Sequence, residues 1–204
     1  SNCSGRSFER RLCAQSPIFD ARCEFPVCKR DLPDGSVAFL AQVGATGDVL
    51  AEVYDVSKNN TRLTNLSTLA KINNPDDLLI PGIVVAGANP RTLLIRAVGP
   101  GLQDFGLTTY LGDPRITVLA GPTTVDANNN WAQIGAGAQQ AALSAVFPAV
   151  GAFPLKPANS DAALVTALAP AAYTLQAGAA PTVLQQSPPP SPTGSVLIEV
   201  YEVP

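Results

Sequence analysis

TGSVLIEVYEV at residues 193–203 and TGDVLAEVYDV at 46–56 are two copies of one pattern. They agree at Thr46/Thr193, Gly47/Gly194, Val49/Val196, Leu50/Leu197, Glu52/Glu199, Val53/Val200, Tyr54/Tyr201 and Val56/Val203. Within each copy, β-branched and aromatic residues alternate with a period of two, the mark of a strand with two distinct faces. Val49, Ala51 and Val53 share one face, as do Val196, Ile198 and Val200. Upstream, AFLAQVG at 38–44 lines up with AYTLQAG at 172–178. Each copy is therefore expected to form a β-hairpin, with a strand, a turn containing glycine and a second strand. The first connection is a short Gly-Ala-Thr-Gly. The second is PTVLQQSPPPSPTG, whose Pro188, Pro189, Pro190 and Pro192 favour an extended, exposed loop.

Between the copies the segments occur once. KNNTRLTNLSTLAKI (58–72) reads as a linker running into a strand. LLIPGIVVAG (78–87) and RTLLIRAVG (91–99) read as strands joined by a turn at Asn89-Pro90, and RITVLAG (115–121) as a strand after Asp113-Pro114. AGAQQAALSAVF (136–147) places Ala142, Leu143, Val146 and Phe147 at helical spacing, and DAALVTAL (161–168) reads as a strand. Many short strands divided by Gly and Pro predict a mostly β protein. The fold class expected is an antiparallel β-sandwich or jelly-roll-like domain with a short helix and an N-terminal disulfide-rich extension. The expected divisions are a cysteine-rich segment at 1–35, a partial repeat at 36–57 and a complete repeat at 58–204.

Composition narrows the function classes. The chain has 204 residues, 46% of them hydrophobic, enough for a sizeable core. Its net charge is −3, so no basic surface is available and nucleic acid is not expected as a partner. Charged residues are 14%, against about 25% in typical soluble domains, a composition suited to a surface covered by neighbours. No apolar run reaches the roughly 18 to 20 residues needed to span a bilayer. The chain starts at Ser1 and is read as mature or excised material.

All four cysteines, Cys3, Cys13, Cys23 and Cys28, fall in a polar, Arg-rich stretch. Two disulfides formed in an oxidising compartment are expected, with three pairings open. The rival is a four-thiolate metal site, which the spacing fits poorly, since no Cys-x-x-Cys pair exists.

With no histidine, Ser-His-Asp and Cys-His catalysis have no base, and the Gly-rich VGPGLQDFG (98–106) lacks the phosphate-loop pattern. Carboxylate pairs remain, from Asp104, Asp113, Asp126 and Asp161. Asp113 precedes a proline, Asp126 opens the polar run DANNN and Asp161 follows Asn159-Ser160, so turns account for them. Glu52 and Glu199 occupy matching places in the repeated strands, which favours a structural role. Asp126, Asn128 and Asn130, like Asp76-Asp77, offer oxygens to calcium, but without an EF-hand pattern. No enzyme activity, catalytic residue, metal or cofactor is expected. Trp131, in NNNW, is the candidate glycan contact, weighed against a packed core tryptophan. Asn2, Asn59 and Asn65 each begin an Asn-x-Ser/Thr triplet and are candidate glycosylation sites.

NLSTLAKI, VVAGANPRTLLIRAVGPGLQDFGLTTYLGDPRITVLAG, NNNW and TGSVLIEVYEV together resemble a repeat of large secreted or cell-surface proteins of environmental bacteria. In that repeat an Asn-Leu-Ser-Thr strand, a Leu-Ile-Arg-Ala-Val-Gly-Pro segment, an Asp-Pro turn, an Asn/Asp-Asp-Trp turn and a Glu-Val-Tyr strand follow in order. The likeness spans about 58–204 and excludes the cysteine segment. It implies an extracellular β module and no reaction.

An edge strand templates the addition of another strand. The N-terminal copy is therefore expected to pack within the same fold, to add to a neighbour's sheet by β-augmentation, or to be a remnant of a tandem array. The second reading assigns self-association to Val37, Phe39, Val49, Ala51, Val53 and Tyr54. It predicts a head-to-tail contact that builds filaments, since such contacts do not close on themselves. The function expected is thus a secreted structural or adhesive subunit, located outside the cell or on its surface, with itself as partner. The alternative is a carbohydrate-binding accessory module that takes a surface polysaccharide.

Overall fold

The computed structural model describes residues 27–31, 37–41, 52–53, 63–133, 138–181 and 190–204, with the backbone alone at 27–31, 37–41 and 138–139. The chain divides into two units, Ser1–Tyr54 and Asp55–Pro204.

In the first unit, β1 (Val27–Asp31) pairs antiparallel with β2 (Val37–Ala41), Lys29 opposite Phe39 and Asp31 opposite Val37. The partner of β2 is thus a strand that begins inside the cysteine-rich stretch, where the sequence reading pairs it with 46–56. Of 46–56 only Glu52 and Val53 are described, and neither lies in a strand. Cys28 sits in β1 opposite Leu40. Cys3, Cys13 and Cys23 lie outside the described residues, as do Val49, Ala51 and Tyr54.

The second unit holds eight strands in two four-stranded antiparallel sheets. One sheet has the order β3 (Asn65–Ile72), β10 (Gly194–Glu202), β5 (Arg91–Val98), β8 (Ala162–Leu168). The other has the order β4 (Gly82–Val85), β9 (Ala171–Ala179), β6 (Pro114–Ala120), β7 (Thr123–Asn128). The chain changes sheet at almost every connection, and β6–β7 is the one hairpin of neighbouring strands in this unit among the described residues.

This corrects the reading of 172–203 as a hairpin. β9 and β10 are consecutive but belong to different sheets, each with hydrogen-bonded partners on both edges. Period-two alternation fixes which side chains share a face and leaves the pairing partner open. The long Pro-rich connection is what a crossing needs and a tight hairpin does not.

The inner faces of both sheets contribute to one apolar cluster. Leu93, Ile95, Val196, Ile198 and Leu164 come from the first sheet, and Ile116, Val118, Tyr173 and Leu175 from the second. The outer face of the first sheet is buried as well. There Leu94, Val98, Ala163 and Tyr201 meet Leu102, Trp131, Leu143, Phe147 and Leu155. Burial on both faces explains why β5 reads as a continuous run, LLIRAV, and does not alternate with polar residues.

The expected helix is present as α1 (Ala138–Ala149). It is anchored by Leu143 and Phe147, one turn apart on the buried side. Each contributes about 1.5–3 kcal/mol by leaving water. Past its end Gly151 takes a left-handed φ of 75°, and the Ala152 N–H bonds back to the Phe147 carbonyl. The run Asp126–Asn130, read as a polar turn, begins inside β7, with Asp126 opposite Val118. The β-branched Thr123-Thr124-Val125 just before it carries the strand signal.

Candidate functional site

The repeated Glu-x-Tyr of β10 is the centre of a buried polar network. Arg96 and Glu199 sit side by side on β5 and β10, and both are buried. Arg96 Nε and Nη2 donate to Glu199 Oε2 at 2.9 and 2.6 Å. The Tyr201 hydroxyl donates to the other carboxylate oxygen, Oε1, at 2.6 Å. Arg96 Nη1 donates to the Phe153 carbonyl. The guanidinium carbon lies 4.2 Å from the Phe153 ring centre and 5.1 Å from that of Phe147. Every polar atom so engaged offsets desolvation that would otherwise expel the charges. A second cross-strand pair, Arg91 to Glu202 at 3.2 Å, joins the same two strands nearer solvent.

Burial, then the hydrogen bond and negative charge of Glu199, push the Tyr201 phenol up from 10.0 to about 12. The folded state therefore favours the neutral phenol. Its contribution is complete below the ordinary phenol value and is lost as pH rises through about 12. Tyr201→Phe is expected to flatten the alkaline limb of a stability-against-pH profile between those values. An unchanged limb in urea titrations would remove Tyr201 from that role.

The carboxylate candidates have separate structural positions. Asp161 is fully buried; its Oδ1 accepts from the Gly99 and Gly101 N–H groups at 2.9 and 3.1 Å, clamping the turn around Pro100. Burial pushes its carboxyl up, opposed by those backbone bonds, the Asn159 side chain and Arg96. Asp113 is buried before Pro114, and burial raises it too. Asp104 is exposed and ion-paired with Lys156. Among the described residues, no group of three or more His, Cys, Asp or Glu is arranged to hold a metal.

Trp131 is not a glycan platform. It is fully buried and packs edge-on against Phe147, with ring centres 5.5 Å apart, and its indole N–H donates to the Lys156 carbonyl. A sugar stacks only on an exposed ring face, and none is presented here. Asn65 is exposed at the start of β3, opposite Tyr201; Asn2 and Asn59 lie outside the described residues.

Arg96 escaped the sequence reading, although a lone arginine inside LLIRAV signals a buried charge that needs a partner. Glu199, repeated as Glu52 at the centre of a strand pattern, is the other half of that signal.

The four sheet edges of the second unit differ in how far they are blunted. β4 is four residues long and follows Pro81. β7 carries a register shift opposite Val118/Leu119. On β8 the Ala163 N–H is taken by Asn128 Oδ1 at 3.0 Å. β3 runs eight residues and pairs with β10 alone among the described residues. It exposes Leu69 at 55%. Among the described residues, no helix is long and apolar enough to cross a membrane.

Comparison with protein-family models and with curated proteins found no match.

Proposed function

We propose that this protein is a secreted structural subunit, a β-sandwich module that joins copies of itself head to tail by strand addition, with the β10-like segment 46–56 of one copy lying along the outer edge of β3 in the next. What carries this reading is the recurrence in 46–56 of the pattern of β10, the strand that pairs β3 on its inner edge. The copy keeps both apolar faces and also the Glu and Tyr that β10 uses in its buried network. Because β9 and β10 lie in different sheets, the transferable unit is one strand. Among the described residues, β3 is the edge with least protection against such an addition. Because donor and acceptor are different surfaces, the contact propagates and builds filaments. Export is supported by four cysteines clustered at the N-terminus and by the scarcity of charge.

Leu69→Lys places a charge on the exposed edge, and Val53→Lys does so on the donor segment, where Val53 is 48% exposed. Each is expected to leave the fold intact and to convert filaments into monomers, as seen by negative-stain microscopy and sedimentation. A wild-type chain that stays monomeric at high concentration, or lysine variants that still assemble, would refute the proposal.

A further inference from the structure

A second candidate site lies in the Asp55–Pro204 unit, apart from the β3 edge. A cleft of about 470 Å³ opens between three segments. Thr108, Thr109 and Tyr110 line it, with Asn159, Ser160 and Ser191, and Pro100 and Pro190 border it. Among the described residues, no charged side chain lines it.

The walls are tied to one another. Asp161, next to Ser160, holds the Gly99 and Gly101 N–H groups on either side of Pro100. The Gly112 N–H donates to the Ser191 carbonyl at 2.8 Å, Leu111 N–H to the Ser195 carbonyl at 2.9 Å, and Ser195 N–H to the Thr109 carbonyl at 3.2 Å. Gly112 has no room for a side chain, since a Cβ there would stand 2.6 Å from the Ser191 nitrogen. The cleft is therefore preformed, which spares a ligand the ordering cost. Tyr110 is half-buried, packed against the helix-side cluster while lining the cleft, so its ring is held in place.

We propose that this cleft binds a neutral saccharide unit of one or two rings. Its volume lies in the range of small-ligand sites, about 300–1,000 Å³. The Thr108, Thr109 and Ser160 hydroxyls can both donate and accept, matching the hydroxyls of a sugar. The lack of charge in the lining disfavours phosphates, sulfated sugars and cations. A polysaccharide strand seated here is recognised without Trp131 and without the β3 edge.

Saturation-transfer difference NMR on the full chain, with cellobiose, maltose and N,N′-diacetylchitobiose as probes, tests this whether the chain is monomeric or assembled. At least one probe is expected to give saturable transfer. Thr108→Arg, an exposed position that fills the cleft, is expected to weaken it by about tenfold or more, roughly 1.4 kcal/mol. Tyr110→Ala should do the same. Absence of transfer from all three probes, or transfer that survives Thr108→Arg, would overturn the assignment.

Discussion

Replacing Arg96 with methionine is expected to cost about 3–5 kcal/mol of folding stability, a large share of the roughly 5–15 kcal/mol that holds a domain together. The substitution nearly conserves volume, so the loss is electrostatic. It leaves Glu199, buried on β10 beside β5, with the Tyr201 hydroxyl as its remaining hydrogen-bond partner among the described residues. It also removes the donor to the Phe153 carbonyl and the cation from between the Phe147 and Phe153 rings. Glu199→Leu should be as damaging, because it strands the guanidinium. The double change Arg96→Met with Glu199→Leu is expected to recover most of the loss, since an apolar pair needs no compensation. Urea midpoints of the two single variants and the double variant decide it. Additive losses would mean that the two residues act independently.

Gly99→Ala should be comparably severe, about 3 kcal/mol or more. A Cβ at Gly99 would lie 1.9 Å from the Leu111 carbonyl oxygen, a backbone atom that cannot swing away. Making room means parting the turn that Asp161 clamps from the segment leading into β6. Gly106→Ala is the control. It has nothing within 4 Å, and only its left-handed φ of 82° resists a side chain, a strain of about 1–2 kcal/mol. Thermal unfolding of both variants should rank Gly99 well below Gly106. Equal melting temperatures would refute the steric account.

The strands were legible because alternation survives in the sequence. Val196, Ile198 and Val200 do face the shared core, as their spacing implies. The helix was legible from Leu143 and Phe147, which the structure buries together. Partnership was not legible: nothing local in AYTLQAG or TGSVLIEVYEV tells that β9 and β10 lie in different sheets, because pairing is decided by strands far away in sequence. Trp131 shows the same limit. Its polar neighbours in NNNW suggest exposure, yet the chain turns there and drops the indole beneath α1 against Phe147. The cleft joins residues about 80 positions apart, from Thr108 to Ser191, and no short motif announces it. The repeat does single out Glu199 and Tyr201, which recur as Glu52 and Tyr54 and which β10 holds together in its buried network.

The joint between copies is tested most directly by mixing isotope-labelled and unlabelled chains and treating the assembled material with a carbodiimide, which joins amines to carboxylates. Asp48 of the donor segment matches Ser195, which β10 places opposite Lys71 on β3. Strand addition between neighbours in the antiparallel sense of β10 predicts mass-spectrometric Asp48–Lys71 links that join a labelled chain to an unlabelled one. Links found only within chains of the same isotope would contradict it.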